Sequence, residues 1–413
     1  MTLLRISLPA IAVAVALATN AAAQDTRLSA APGDVLVQAL VTDAPPSPPS
    51  IERAPVHFAW PLAADAGPIE APAPYTAVSR EHWRDADGAE LARGLAIETT
   101  APGALVLISP VGRDSRPVER DGLHILRGGQ VLKADAATAT LAPQAALEAV
   151  TGTRFAPGAL GFRLAPDLGS GRFDLQVAGA RGRYVVHVRE PDSPFALHVD
   201  SPAPGYLAGD RVRLLAALDS GGRPASLHEV GGMLVAPDGR EFPLRAVRTH
   251  AGVALDAALP REASAVPGLW EAHVLAVADA GGSEVLRDAK VAFEVTAPTA
   301  RLAGAHAARS DADGRLTFEL PVEVGSPGRY EARAVLYGTS HAGDLVPVAV
   351  GHAADWLDPG TGRLTLVFPA AVLAGAQAPF ELRQLALHDQ GRMGRLEYRE
   401  RAARVARPLR DGR

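Results

Sequence analysis

Between positions 195 and 302 the chain alternates short apolar runs with turn residues, and few folds satisfy that alternation. Runs at 195–200, 210–219, 233–235, 241–242, 253–259, 269–277 and 290–295 are each too short for a typical helix and rich in residues that suit strands. Ser220-Gly221-Gly222, Pro237-Asp238-Gly239 and Ala280-Gly281-Gly282 break the chain between them. About seven strands in roughly 100 residues predict an immunoglobulin-like β-sandwich over 193–297. Trp270 follows Pro267-Gly268 at the head of one strand, and Ala272, Val274 and Ala276 continue its face. It is therefore the expected buried anchor. Prolines at 191, 194 and 298 mark the borders, so the module is expected to fold alone with few contacts crossing them.

The 413 residues contain no cysteine. Disulfides, Cys–zinc sites, a thiol nucleophile and a lipid-modified N-terminal Cys are excluded, so each module must rest on its own apolar core. Residues 1–23 read as a signal peptide. Arg5 supplies the positive region, 8–17 the apolar core, and Ala21-Ala22-Ala23 the cleavage site before Gln24. No later segment approaches 18 consecutive apolar residues, so no membrane span is expected after signal cleavage. The expected location is the periplasm or the medium. A net charge of −5 does not point to nucleic acid. Lys133 and Lys290 are the only lysines among 41 basic residues, a usage that reads as codon bias rather than anion recognition.

The rest of the chain divides around the central module. Residues 24–54 read as a Pro/Ala-rich solvated linker, through Ala44-Pro45-Pro46-Ser47-Pro48-Pro49. Residues 55–190 form a mixed, mostly β N-terminal domain, on which a strand near 56–61 is expected to dock. Ser79-Arg80-Glu81-His82-Trp83 suggests a short helical turn capped by Ser79. Strands are expected at 94–99, 104–109, 172–177 and 183–188. Arg127-Gly128-Gly129 marks a hairpin, and a helix is expected over 143–150, with Pro143 at its start and Gly152 past its end. Residues 298–400 alternate as a second β-sandwich, and 401–413 read as a frayed, Arg-rich tail. The fold class is mainly β: tandem immunoglobulin-like sandwiches behind the N-terminal domain.

Several scattered motifs carry a family resemblance. They are Trp60-Pro61, Ser79–Trp83, Ala101-Pro102-Gly103-Ala104, Phe162-Arg163-Leu164 and Val188-Arg189-Glu190-Pro191 in the first part. Gly328-Arg329-Tyr330, Trp356-Leu357 and Pro379-Phe380-Glu381-Leu382-Arg383 follow in the last. Through these the chain resembles an exported bacterial multidomain family catalogued as domain of unknown function 4785. The middle part resembles bacterial immunoglobulin-like domains. The resemblance implies export and a β-rich build and brings no catalytic residues.

No intact catalytic motif is present. Gly338-Thr339-Ser340-His341-Ala342 lacks the second glycine of a hydrolase elbow, and His228-Glu229 lacks the second histidine of a zincin. Asp311 and Asp313 before Gly314 imitate half a calcium loop, but Val322 stands where the closing acid belongs. An Asx-type turn is the expected reading, with Asp311 and Asp313 the only metal candidates and no cofactor expected. Trp356, between Asp355 and Asp358, and Tyr337 are candidate sugar-stacking residues. Arg80, Glu81 and His82 are a candidate polar set for ligand binding or acid–base work, against a structural reading with Trp83 in the core. The leading expectation is an exported non-catalytic interaction or scaffold protein with a protein or glycan partner. A carbohydrate-binding protein and a hydrolase or enzyme-associated protein with its site in 55–190 are the alternatives.

Overall fold

The computed structural model describes residues 27–63, 67, 69, 74–406 and 408–410. The expected signal segment lies outside the described residues. The fold is mainly β, and among the described residues six sheets pack around three separate apolar cores.

The first module opens on strand β3 (Glu81–Asp87), which is preceded by β1 (Val56–Pro61) and β2 (Tyr75–Ser79). β3 edges a five-stranded sheet with Arg183–Arg189, Leu105–Val111, Leu160–Leu164 and Thr138–Pro143. A four-stranded sheet packs on it through Leu95, Ile97, Ile125 and Phe173, all at most 1% exposed. The hairpin at Gly128 and Gly129 takes φ of 58° and 82°, the paired positive values of a tight two-residue turn. The helix Gln144–Thr151 follows Pro143 and ends at Gly152 in the left-handed region. A second helix, Gly88–Arg93, is capped by Asp87, which accepts from Glu90 N at 2.7 Å.

The middle module has two sheets around one core. Trp270 is 1% exposed, its Nε1 donates to Ala263 O at 3.0 Å, and Phe242 packs on it at 5.5 Å. In the third module, Leu316–Val324 and Gly328–Ser340 each pair with several neighbours across a core centred on Phe318, Tyr330 and Phe368.

The N-terminal part of the chain departs from the sequence reading. Residues 27–54 are not a solvated linker: Leu28 and Val37 are 7% and 5% exposed within the third module's core. Val35 and Tyr398 exchange both backbone hydrogen bonds, and Arg392 Nε donates to Pro45 O at 2.7 Å. Proline fits here because the Pro45 carbonyl accepts from Arg392 while no N–H is required of it. β1 does not dock on the first module. It pairs antiparallel with Leu345–Leu357 of the third, from Val56 opposite Ala354 to Pro61 opposite Ala349. β2 in turn completes the middle module, pairing with Phe195–Ser201.

Ser79 caps no helix, because the chain there passes from β2 into β3 in extended form with Arg80 alone between them. Ser79 Oγ accepts from Glu81 N at 3.2 Å and shapes this corner. The two sheets of the first module thus begin at Glu81, since β1 and β2 pair outside them. The middle module is not self-contained, since it takes β2 from outside the 193–297 range. Nor are the described residues of the 401–413 stretch frayed. Gly394–Val405 is one strand that buries Ala402, Ala403 and Val405, and Leu409–Arg410 pairs in parallel with Ala307–Ser310. Small apolar residues between its arginines let one face enter the core.

Candidate binding surfaces

The set Arg80, Glu81 and His82 stands where the first and middle modules join. Successive strand residues point to opposite faces, so Glu81 and His82 cannot act as a pair. His82 points inward, 1% exposed, with both ring nitrogens unpartnered. Burial, followed by the charge of Arg287, lowers its pKa to about 3, so it is a neutral packing residue. Arg80 Nε donates to Ser193 O at 3.0 Å, tying the two chain crossings together.

Beneath this corner Arg287 meets Glu190 at 2.9 Å, with both side chains at most 1% exposed. Arg287 also donates to Ser193 Oγ, Thr100 Oγ1 and Phe195 O, at 2.7, 3.0 and 3.1 Å. Glu190 accepts from the backbone N–H groups of Thr100 and Ala101. Such full pairing is what makes a buried ion pair tolerable. Contacts across this border are therefore neither few nor weak, contrary to the sequence reading.

On the outward face, Glu81 Oε2 lies 3.1 Å from His187 Nε2 and 3.8 Å from Arg189 Nε. The contact with His187 holds the Glu81 carboxyl below its ordinary range. Trp83 is half-buried, stacked on His187 at 4.6 Å with 10° between planes, and Lys290 of the middle module lies 5.5 Å from its ring. Its backbone N–H donates to Asp288 Oδ2 at 2.6 Å. Burial pushes Asp288 up to about 6. Trp83 is thus an inter-module clamp rather than a core residue.

His187 and Arg189 continue into a groove of about 290 Å³ on the same sheet face. Its floor and walls are Leu105, Leu107, Leu147 and Phe155, and Thr140 supplies the only hydroxyl side chain among its described lining residues. Arg189 and Arg163 flank it, 62% and 44% exposed, each only loosely paired with an acid. The groove was not legible in the sequence, since its wall comes from the helix carrying Leu147.

The third-module candidates are not open platforms. Tyr337 is 3% exposed, with Arg383 at 4.5 Å from its ring and Ile69 N donating to its hydroxyl at 3.1 Å. Arg53 covers Trp356 at 3.9 Å from the ring centroid, and Trp356 Nε1 donates to Asp358. The exposed rings lie instead on β1: Phe58 at 41% and Trp60 at 65%, with centroids 6.1 Å apart. Phe58 stacks on His352 at 4.7 Å, and His352 Nδ1 meets Glu331 Oε1 at 2.7 Å. Burial pushes Glu331 up, but its hydrogen bonds with His352 and Gln390 outweigh that and leave it below the ordinary range.

Asp311 Oδ1 accepts from the backbone of Asp313 and Arg315, so the turn consumes it. No group of three metal-ligating side chains occurs among the described residues.

Comparison with known proteins places the chain. Residues 47–190 match the N-terminal domain, and 299–406 the C-terminal domain, of the domain of unknown function DUF4785. The chain belongs to the DUF4785 family. The N-terminal match includes β1 and β2, which lie against the other two modules. A crystal structure of a DUF4785 family protein from Legionella pneumophila subsp. pneumophila str. Philadelphia 1 superposes with a TM-score of 0.69 at 21% identity. That likeness covers 90% of this chain and 99% of that one, and shows a shared fold. The native conformation of E. coli alpha-2-macroglobulin is 12% identical over 80% of this chain and 20% of that one, at a TM-score of 0.29 that carries no argument. No curated protein matches the chain. No helix among the described residues is long and apolar enough to cross a membrane.

Proposed function

We propose that this DUF4785 protein is an exported, non-catalytic interaction protein that receives a partner polypeptide in the first-module groove. The observation that supports it most is the fate of the polar residues. Arg80, His82, Glu190 and Arg287 are spent on joining two modules, and Glu81 is held by His187. What remains accessible beside them is the apolar groove flanked by Arg189 and Arg163. An extended segment with apolar side chains and a neighbouring acid complements that surface, since charge at a rim selects partners while the apolar floor supplies affinity. The export rests on the signal-like first 23 residues.

The enzyme alternative would have to use Glu81 and His187, which form a carboxylate–imidazole pair at the groove's edge. A screen of the purified chain against peptide, ester and glycoside substrates tests this. The expected result is no turnover. Turnover abolished by Glu81→Gln or His187→Ala, with the fold intact, would overturn the non-catalytic reading.

A further inference from the structure

The middle and third modules enclose a pocket of about 310 Å³ between them. Its middle-module wall is Gly205–Leu207, which runs parallel to Glu294, Val295 and Thr296 at the edge of a sheet. Its third-module wall is a strand pair in which His388 stands opposite Arg395. The adjacent Leu387 and Leu396 are fully buried in the core, so alternation turns His388 and Arg395 outward into the pocket. The walls are pressed together at one end. A Cβ on Gly394 would lie 2.1 Å from Thr296 Cγ2, so only glycine lets the two modules meet there.

Arg395 marks this pocket as a site. Nearby arginines are matched with acids: Arg383 with Glu381 at 2.6 Å, Arg392 with Asp389 at 2.5 Å, and Arg399 with Glu397 at 3.2 Å. Arg395 is half-buried, and among the described residues it makes a ring contact with Tyr398 at 5.2 Å but no hydrogen bond or ion pair. Burial lowers its pKa, as for a cation short of compensation. His388 Nδ1 is likewise buried without a partner. On the facing wall Glu294 accepts from Thr296 Oγ1 at 3.0 Å through one oxygen, which leaves the other for a ligand. Met393 stands at the mouth, 86% exposed, with φ of 53°, a left-handed conformation usually left to glycine or asparagine.

An unmatched guanidinium selects an oxyanion, and its planar fork suits a carboxylate. A phosphate dianion would be repelled by Glu294, whereas an ammonium group is complementary to it. The volume lies at the low end of small-ligand sites, which span about 300–1,000 Å³. We propose that this pocket binds a free amino acid or dipeptide with an apolar side chain. Its carboxylate rests on Arg395, its ammonium faces Glu294, and its side chain packs on Met393. The pocket is separate from the first-module groove, and its failure leaves the reading of that groove untouched.

Isothermal titration of the full chain with L-leucine, L-methionine and L-alanyl-L-leucine tests the proposal. At least one should bind at one site per chain, and Arg395→Gln and Glu294→Gln should each weaken it about tenfold or more. Isopentylamine, which is leucine without its carboxylate, and inorganic phosphate should not bind. Arg395 makes no ion pair, so Arg395→Gln should melt with the parent, and Glu294→Gln carries the test if it does not. Val150→Ala, exposed on the first-module helix, should leave binding unchanged. No binding of the three ligands overturns the proposal, as does binding that a variant melting with the parent leaves unchanged. So does binding of phosphate or isopentylamine that Arg395→Gln abolishes.

Discussion

At the scale of single residues, the border between the first and middle modules rests on Arg287. Removing a buried charge's partner costs more than the pair contributes, because the survivor stays desolvated. Arg287→Ala strands the Glu190 carboxylate, whose side chain is 0% exposed, and should cost about 3–5 kcal/mol in urea unfolding. The double variant Arg287→Met with Glu190→Leu should recover much of that loss. A single variant within about 1 kcal/mol of the parent would show that water reaches the pair.

Asp288 gives a pH signature of the opposite kind. Its folded pKa is raised from 3.8 to about 6, so the folded state favours the protonated acid. Its contribution to stability is fully present below pH 3.8 and is lost as pH rises through about 6. Asp288→Asn keeps an acceptor for Trp83 N but carries no charge. It should melt higher than the parent near neutrality, and the two curves should converge toward about pH 3.5. Parallel melting curves across that window would remove Asp288 as the titrating group.

At the scale of elements, strands were legible and their partners were not. Period-two alternation marks 172–177 and 183–188 as strands, yet they sit in different sheets of the first module. Gly152 and Pro143 bracket a helix as expected, whereas the helix at Gly88–Arg93 was missed. Its signal was Asp87 three residues before Glu90, a pattern like a capping box. Val56-His57-Phe58-Ala59-Trp60 announced a strand, but nothing local tells it to pair with residues 349–354. Reading Ser79–Trp83 as a helical turn put Glu81 and His82 together; as strand residues they separate. The site was therefore legible as a polar–aromatic cluster and illegible as geometry, because the neighbours that define it come from Arg183–Arg189 and Glu284–Thr296.

The borrowed strand β2 has a measurable consequence. Without it, Phe195–Ser201 has a bare edge, a template for association. A fragment of residues 193–297 should aggregate or melt below the temperature of a fragment starting at Pro74 and ending at 297. Equal, sharp melts for the two would show that β2 is dispensable.

For the whole molecule, the chain threads its three modules from the far end. Residues 27–61 line the third, β2 completes the middle, and only then does the first fold. Pairing between residues nearly 300 positions apart makes the modules one interlocked piece, and composition gives no hint of it. A chain built this way spends its buried polar clusters on assembly, and the proposal of a partner rests on what stays accessible. The first-module groove is the place to look. A photo-cross-linking residue in place of Leu107, in the full chain added to envelope and spent-medium fractions, should yield a discrete protein adduct. Arg189→Glu should abolish that adduct, while the same probe at exposed Val131 should give none. Adducts of equal yield from both positions, or one that survives Arg189→Glu, would contradict binding in the groove.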